Sequence, residues 1–121
     1  MTIILHIIAR GEWETAVSHP PYAPPSLASE GFIHCSTLEQ VLLPANSLYR
    51  GRADLLLLCL DEARIAADVV YEDCYESGIE FPHIYGPLNL EAVVAIFEFP
   101  CQADGSFCLP SLNDFENRPS G

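Results

Sequence analysis

Six consecutive residues, Leu55-Leu56-Leu57-Leu58-Cys59-Leu60, form the most apolar run in the chain. Side chains alternate between the two faces of a strand, so such a run has no polar side to turn to water. It is also far too short to cross a bilayer, which takes roughly 20 apolar residues in a helix. Asp54 to Leu60 therefore reads as a central strand. Ile3 to Ile8, interrupted only by His6, reads as a second strand buried on both faces. The chain start, Met1-Thr2-Ile3-Ile4-Leu5-His6, has no basic region or small-residue cleavage site and reads as this first strand, not as a signal peptide.

Around these strands the helices are expected to be short. Gly11 to Val17 suits one or two turns that must stop near His19, because Pro20 and Pro21 follow. Pro20 to Ser29 reads as a stiff, proline-rich strap across one end of the domain. Gly31-Phe32-Ile33-His34-Cys35-Ser36 reads as a strand, and Ser36-Thr37-Leu38-Glu39 as a capping box opening a helix toward Asn46 that Pro44 limits or kinks. Asp61 to Arg64 looks like a helical turn and Val69 to Tyr71 a strand. Phe81 to Tyr85 is extended, because Pro82 and Pro87 both disfavour helix there, and Asn89 caps one turn before a strand from Val93 to Phe99. Asp104-Gly105 signals a terminal hairpin. The pattern is that of one compact α+β domain over residues 1–112, with a mixed or antiparallel sheet and short helices, followed by a loose tail at 113–121.

Charge narrows the partners. The 121 residues carry a formal net charge of -12, and all five cations are arginines. A polyanion is repelled by such a surface, so nucleic acid is not expected, and neither is a membrane. The five cysteines show no C-x-x-C pairing and fit free thiols in a reducing cytoplasm. The sequence carries no signature of oligomeric state.

The polar residues inside apolar segments mark the expected site. Strand alternation puts Phe32, His34 and Ser36 on one face, and Phe81, His83 and Tyr85 on one face of another segment. Each presents an aromatic ring, an imidazole and a hydroxyl in one direction, and His6 adds a third imidazole. A buried histidine needs hydrogen-bond partners, so three of them point to a shared pocket for a small molecule. A lone strand histidine is more often a satisfied core residue, and His19 reads as surface. A three-histidine metal centre has no spacing signature here, so no metal ligands are assigned. Cys35 points away from its neighbour His34, which weakens a cysteine nucleophile. Glu72-Asp73 reads as a solvated acidic turn that could supply an acid, and Tyr49-Arg50 as a connection that could present a phenol and a guanidinium.

Leu5-His6-Ile7, Glu12-Trp13, Gly31 to Thr37, Leu48-Tyr49-Arg50-Gly51 and Phe81 to Leu90 occur in that order. Together they closely resemble the bacterial domain of unknown function 952 family, from Ile3 to about Pro110. That family looks like a compact relative of the ADP-ribosyltransferase fold, a split two-sheet α+β architecture with a nicotinamide cleft. The resemblance implies NAD or an ADP-ribose compound as ligand. His6 would then orient the ribose, Tyr49 would stack, Arg50 or Arg10 would meet the pyrophosphate, and Ser36 and Tyr85 would line the site. His34 and His83 would be the acid-base pair. Where such transferases usually place a glutamate, this chain has His83 and Tyr85, with Glu80 just before. Two alternatives stand beside this reading: a non-catalytic module that binds a small molecule or peptide, and a metal-assisted hydrolase using the three histidines.

Overall fold

The computed structural model describes residues 2–74 and 76–110; the expected loose tail lies outside them. In chain order the elements are β1 (Ile3–Ala9), α1 (Arg10–Ser18), α2 (Pro25–Ser29), β2 (Ile33–His34), α3 (Leu42–Leu48), β3 (Leu55–Asp61), β4 (Asp68–Glu72), β5 (Phe81–Tyr85) and β6 (Val93–Glu98). Single 3-10 turns at Glu62–Arg64 and Leu90–Ala92 follow β3 and precede β6.

The strands make two three-stranded antiparallel sheets, ordered β1-β3-β6 and β2-β5-β4. β3 is the centre of the first and is buried at every position. Its alternation feeds two cores. Leu56, Leu58 and Leu60 pack with Ile4 and Ile8 against Ile33 and Ile84 of the second sheet. Leu55, Leu57 and Cys59 turn the other way, onto Leu5, Val41, Ala45, Phe99 and Phe107. The leucine run thus has apolar cover on both faces, as a strand without a polar side requires.

The sheets are joined where β1 meets the second residue after β2. Leu5 and Ser36 exchange both backbone hydrogen bonds, 2.7 and 2.8 Å. This junction explains one departure from the sequence expectation. The Ser36 backbone is committed to β1, and the expected capping box does not form. The chain instead makes turns through 38–41, with the Thr37 N–H donating to the Gln40 side chain at 3.1 Å, and α3 begins only at Leu42. Pro44 then lies in the first turn of α3, where a missing N–H costs nothing, and the helix runs through it to Leu48. For the same reason the Gly31–Ser36 segment pairs regularly only at Ile33 and His34.

The strap holds a helix, α2, with Pro25 in its first turn, the one place where proline favours a helix. It is tied down by a second two-bond bridge, Tyr22 to Leu88. Asn89 does not cap the turn after it. Its side chain accepts from the Ala66 N–H and donates to the Arg64 carbonyl, each at 2.9 Å, and so staples the two 3-10 turns together. Asp104-Gly105 forms the expected turn, closed by the Gln102 N–H donating to Ser106, without a strand ladder on either side. Among the described residues no helix is long and apolar enough to cross a membrane.

Candidate functional site

A cleft of about 800 Å³ opens over the junction of the two sheets. Its floor is Leu5, His6 and Ile7 of β1 with His34, Cys35 and Ser36. One wall is the strap and α2, through Tyr22, Pro24 and Pro25, and the other is α3, through Leu43, Pro44, Ser47 and Leu48. Ile79, Phe81 and His83 close one end. The size lies within the range of small-molecule sites, and so does the mainly apolar lining with a few polar groups. Among the described residues, those polar groups include two carboxylates, Glu12 and Glu30, and no arginine.

His34 and His83 are direct cross-strand partners in β2 and β5, and their rings meet edge to face at 5.5 Å. Phe32 stacks on His83 at 4.0 Å and meets the His34 ring edge-on at 4.9 Å. It therefore holds both rings in place while remaining buried itself.

Each imidazole is oriented by an oxygen. The ring nitrogen of His34, Nε2, donates to the Glu30 carboxylate at 2.6 Å, and Nδ1 of His83 donates to Glu72 Oε2 at 2.8 Å. Both assignments follow because an ionised carboxylate can only accept. The Tyr85 hydroxyl donates to the same Glu72 oxygen. These two donors hold the Glu72 carboxyl below its ordinary range, the tyrosine first and the imidazole second. The reciprocal effect pushes the Tyr85 phenol up to about 12.

His6 is different in kind. It shares a face of β1 with Ile4 and Ile8, and it is 7% exposed. Its Nδ1–H donates to the His34 carbonyl at 2.6 Å, because a carbonyl has no proton to give. Nε2 must then be the acceptor, and the Tyr22 hydroxyl donates to it at 2.9 Å. Burial, opposed in part by the carbonyl bond, brings the pKa of His6 down to about 4, so the ring is neutral near neutral pH. Both of its nitrogens are used inside the protein, and that is incompatible with a His6 ligand bond in a three-histidine metal centre. The ring locks the β1–β2 junction at the bottom of the cleft.

Of the other residues singled out in the sequence, Ser36 and Tyr49 line the cleft. Arg50 and Tyr85 do not. Arg50 donates to the Asp104 carbonyl at 3.2 Å, and Arg10 is paired with Glu98. The Tyr85 ring leans on Phe32 at 5.4 Å, and its hydroxyl goes to Glu72. Cys35 is buried, and burial holds its thiol protonated, far above the ordinary range. His19 is exposed. Among the described residues, one cluster groups three potential metal ligands, Glu72, Cys74 and His83; it includes neither His6 nor His34.

Sequence patterning does not single out Tyr22 or the carboxylates as partners of these histidines. Glu30 lies four residues before His34, a spacing visible in the chain but without meaning until the turn at Gly31 is formed. Glu72 reaches His83 diagonally across β4 and β5, because its own partner in register is Phe81. That contact depends on a pairing of distant segments.

The profile of the family described as Protein of unknown function (DUF952) matches residues 7–96. The crystal structure of CC0527 from Caulobacter crescentus is similar to this chain at 33% identity with a TM-score of 0.78, covering 94% of this chain and 97% of the other. A solution NMR structure of CC0527 agrees at 33% identity and a TM-score of 0.76, covering 95% and 97%. No curated protein matches. What these comparisons show is an α+β fold of the CC0527 type, with two small antiparallel sheets, and not an ADP-ribosyltransferase fold. With most of its length inside the matched region, this chain belongs to the DUF952 family.

Proposed function

We propose that the cleft binds a small organic molecule with an apolar body and one neutral or cationic polar group, and that His34 and His83 meet that group. The observation that carries the reading is the pair of adjacent imidazoles in an apolar cleft, each with a carboxylate behind it and no arginine among the described lining residues. Carboxylate-backed imidazoles are fixed in orientation and tautomer, which suits them to hydrogen-bond a ligand or to move a proton to and from it. With Nδ1 of His83 engaged by Glu72, Nε2 is the nitrogen it has to offer.

The lining argues against the nucleotide arm of the same idea. NAD or ADP-ribose brings two phosphate charges, whereas this cleft presents Glu12 and Glu30, and Arg10 and Arg50 are occupied elsewhere. A carboxylate-lined, low-dielectric cleft raises the cost of such an anion. Recognition without turnover is the simpler function, since the thiol beside His83, that of Cys74, is pushed above its ordinary range by desolvation and the nearby Glu72 charge.

Ligand-observed NMR on the purified chain tests this with three probe sets: neutral aromatic amides, small aliphatic-aromatic amines, and NAD with ADP-ribose. Saturable binding of the first or second set, lost in His34→Ala, is the expected result. No saturable binding from any set at millimolar concentration sinks the reading. Binding by the nucleotides alone replaces it with the NAD reading.

A further inference from the structure

Around Nδ1 of His83, three different donor atoms come together. Nδ1 of His83 lies 2.8 Å from Glu72 Oε2 and 3.7 Å from Cys74 Sγ, and all three atoms lie within 4.8 Å of one another. From these residues we infer a metal site of thiolate, imidazole and carboxylate for a borderline divalent cation, with zinc the best fit. The spacings are those of neighbouring corners of a small tetrahedron. With metal–sulfur bonds of about 2.3 Å and metal–nitrogen or metal–oxygen bonds of about 2.0 to 2.2 Å, a modest outward shift of the carboxylate completes three corners. The fourth corner stays open, as in zinc sites that take a water or a ligand.

The surroundings support the assignment. The ligands come from the end of β4, the turn after it and the neighbouring strand β5, so pairing of β4 with β5 assembles them. The Cys74 turn is held from within, since the Asp73 carboxylate accepts from the Ser77 and Gly78 N–H groups at 2.9 and 2.7 Å. The ring of His83 is fixed by Phe32, and the Glu72 carboxylate by the Tyr85 hydroxyl. Such supporting contacts fix ligand orientation around a metal. A sulfur and a nitrogen in the set disfavour magnesium and calcium, which take oxygen donors, and favour zinc or cobalt. A net charge of -12 draws cations toward the surface where Cys74 is exposed. The inference does not rest on what occupies the cleft.

Cobalt is the probe. Protein purified without a histidine tag and kept reduced is titrated with Co²⁺ and followed by absorption, then back-titrated with Zn²⁺. One equivalent is expected to give a thiolate-to-cobalt charge-transfer band together with the visible bands of tetrahedral cobalt, and zinc is expected to erase both. Cys74 is exposed, so Cys74→Ser leaves the fold intact and should abolish the charge-transfer band. Cys108→Ser, the loss of another exposed thiol, should keep it. Glu72→Gln should weaken cobalt binding by about tenfold or more. Absence of the band at stoichiometric cobalt overturns the site. So does a band that survives Cys74→Ser, one that vanishes in Cys108→Ser, or an unchanged affinity in Glu72→Gln.

Discussion

The two sheets have the same strand count and the same antiparallel pairing, yet they differ in what lies on their faces. The β1-β3-β6 sheet is covered on both sides, and its central strand has no exposed residue. The β2-β5-β4 sheet gives only one side to the core, through Ile33, Ile84 and Val69. Its other side carries Phe32, His34, His83, Tyr85 and Glu72, a layer of rings and carboxylates near the surface. The first sheet is core on both faces, and the second divides its faces between the core and the candidate site. The division works because a face that need not be buried for stability is free to hold polar groups in defined orientations.

The most direct way to break this comparison is to open cavities in β3. Leu57 and Leu58 are both 0% exposed and face opposite cores. Leu57→Ala and Leu58→Ala are each expected to cost about 3 to 4 kcal/mol in urea unfolding, the usual range for a leucine lost from a packed interior. A cost near zero for either one would mean that the face it serves is not a core. Val70 on β4 is 39% exposed, and Val70→Ala should cost less than about 1 kcal/mol.

A somewhat smaller effect should come from the junction histidine. The folded pKa of His6, about 4, lies below its ordinary 6.5. Between these values the unfolded chain takes up a proton that the folded chain refuses. Its contribution is therefore complete above pH 6.5 and drains away as the pH falls toward 4, by about 3 kcal/mol in all. Unfolding free energies measured across that window should fall with pH in the wild type, and that part of the slope should disappear in His6→Asn. The tied-down carboxyls, Glu72 among them, lose their contribution at lower pH, so the upper part of the window reports on His6.

The smallest effect on stability, and the sharpest test of the division, is Glu72→Gln. Stability should change by less than about 1 kcal/mol, because the side chain sits at the rim. The Tyr85 phenol, held at about 12 first by its bond to Glu72, should titrate closer to its ordinary value of 10 in a spectrophotometric titration. An unchanged phenol would show that the hydroxyl does not depend on that carboxylate.

Much of the first sheet is legible in the order of the amino acids, because its signal is local. The leucine run marks β3, the isoleucines around His6 mark β1, and Val93 to Phe99 overlaps β6. Pro82 and Pro87 likewise disfavour a helix over Phe81 to Tyr85, the residues of β5. The features that local patterning misplaces depend on distant partners. The Ser36 backbone is taken by Leu5, which moves α3 several residues along the chain. His6 reads as a ligand-facing residue because Tyr22 and the His34 carbonyl, which saturate it, lie 16 and 28 residues away. Glu72 reads as a solvated acid until β4 pairs with β5. The face-sharing of Phe32, His34, His83 and Tyr85 follows from strand alternation alone, whereas the residues that give those rings their orientation do not.

The Leu5–Ser36 bridge has a mechanical meaning as well. Two backbone bonds there and the ring bond from His6 to the His34 carbonyl act as a rivet through four residues, and the strap is pinned by its own pair of bonds at Leu88. Parts riveted in this way share one rigid frame. The width of the cleft at its floor and along the strap is fixed with that frame, like the jaw of a wrench already set to one size. For the proposed ligand, adjustment falls to the opposite rim, where the exposed Leu43 and Leu48 of α3 carry, among the described residues, no backbone bond to β1. Under the proposed function, size is gauged at the bottom of the cleft, and tolerance is left to its lip.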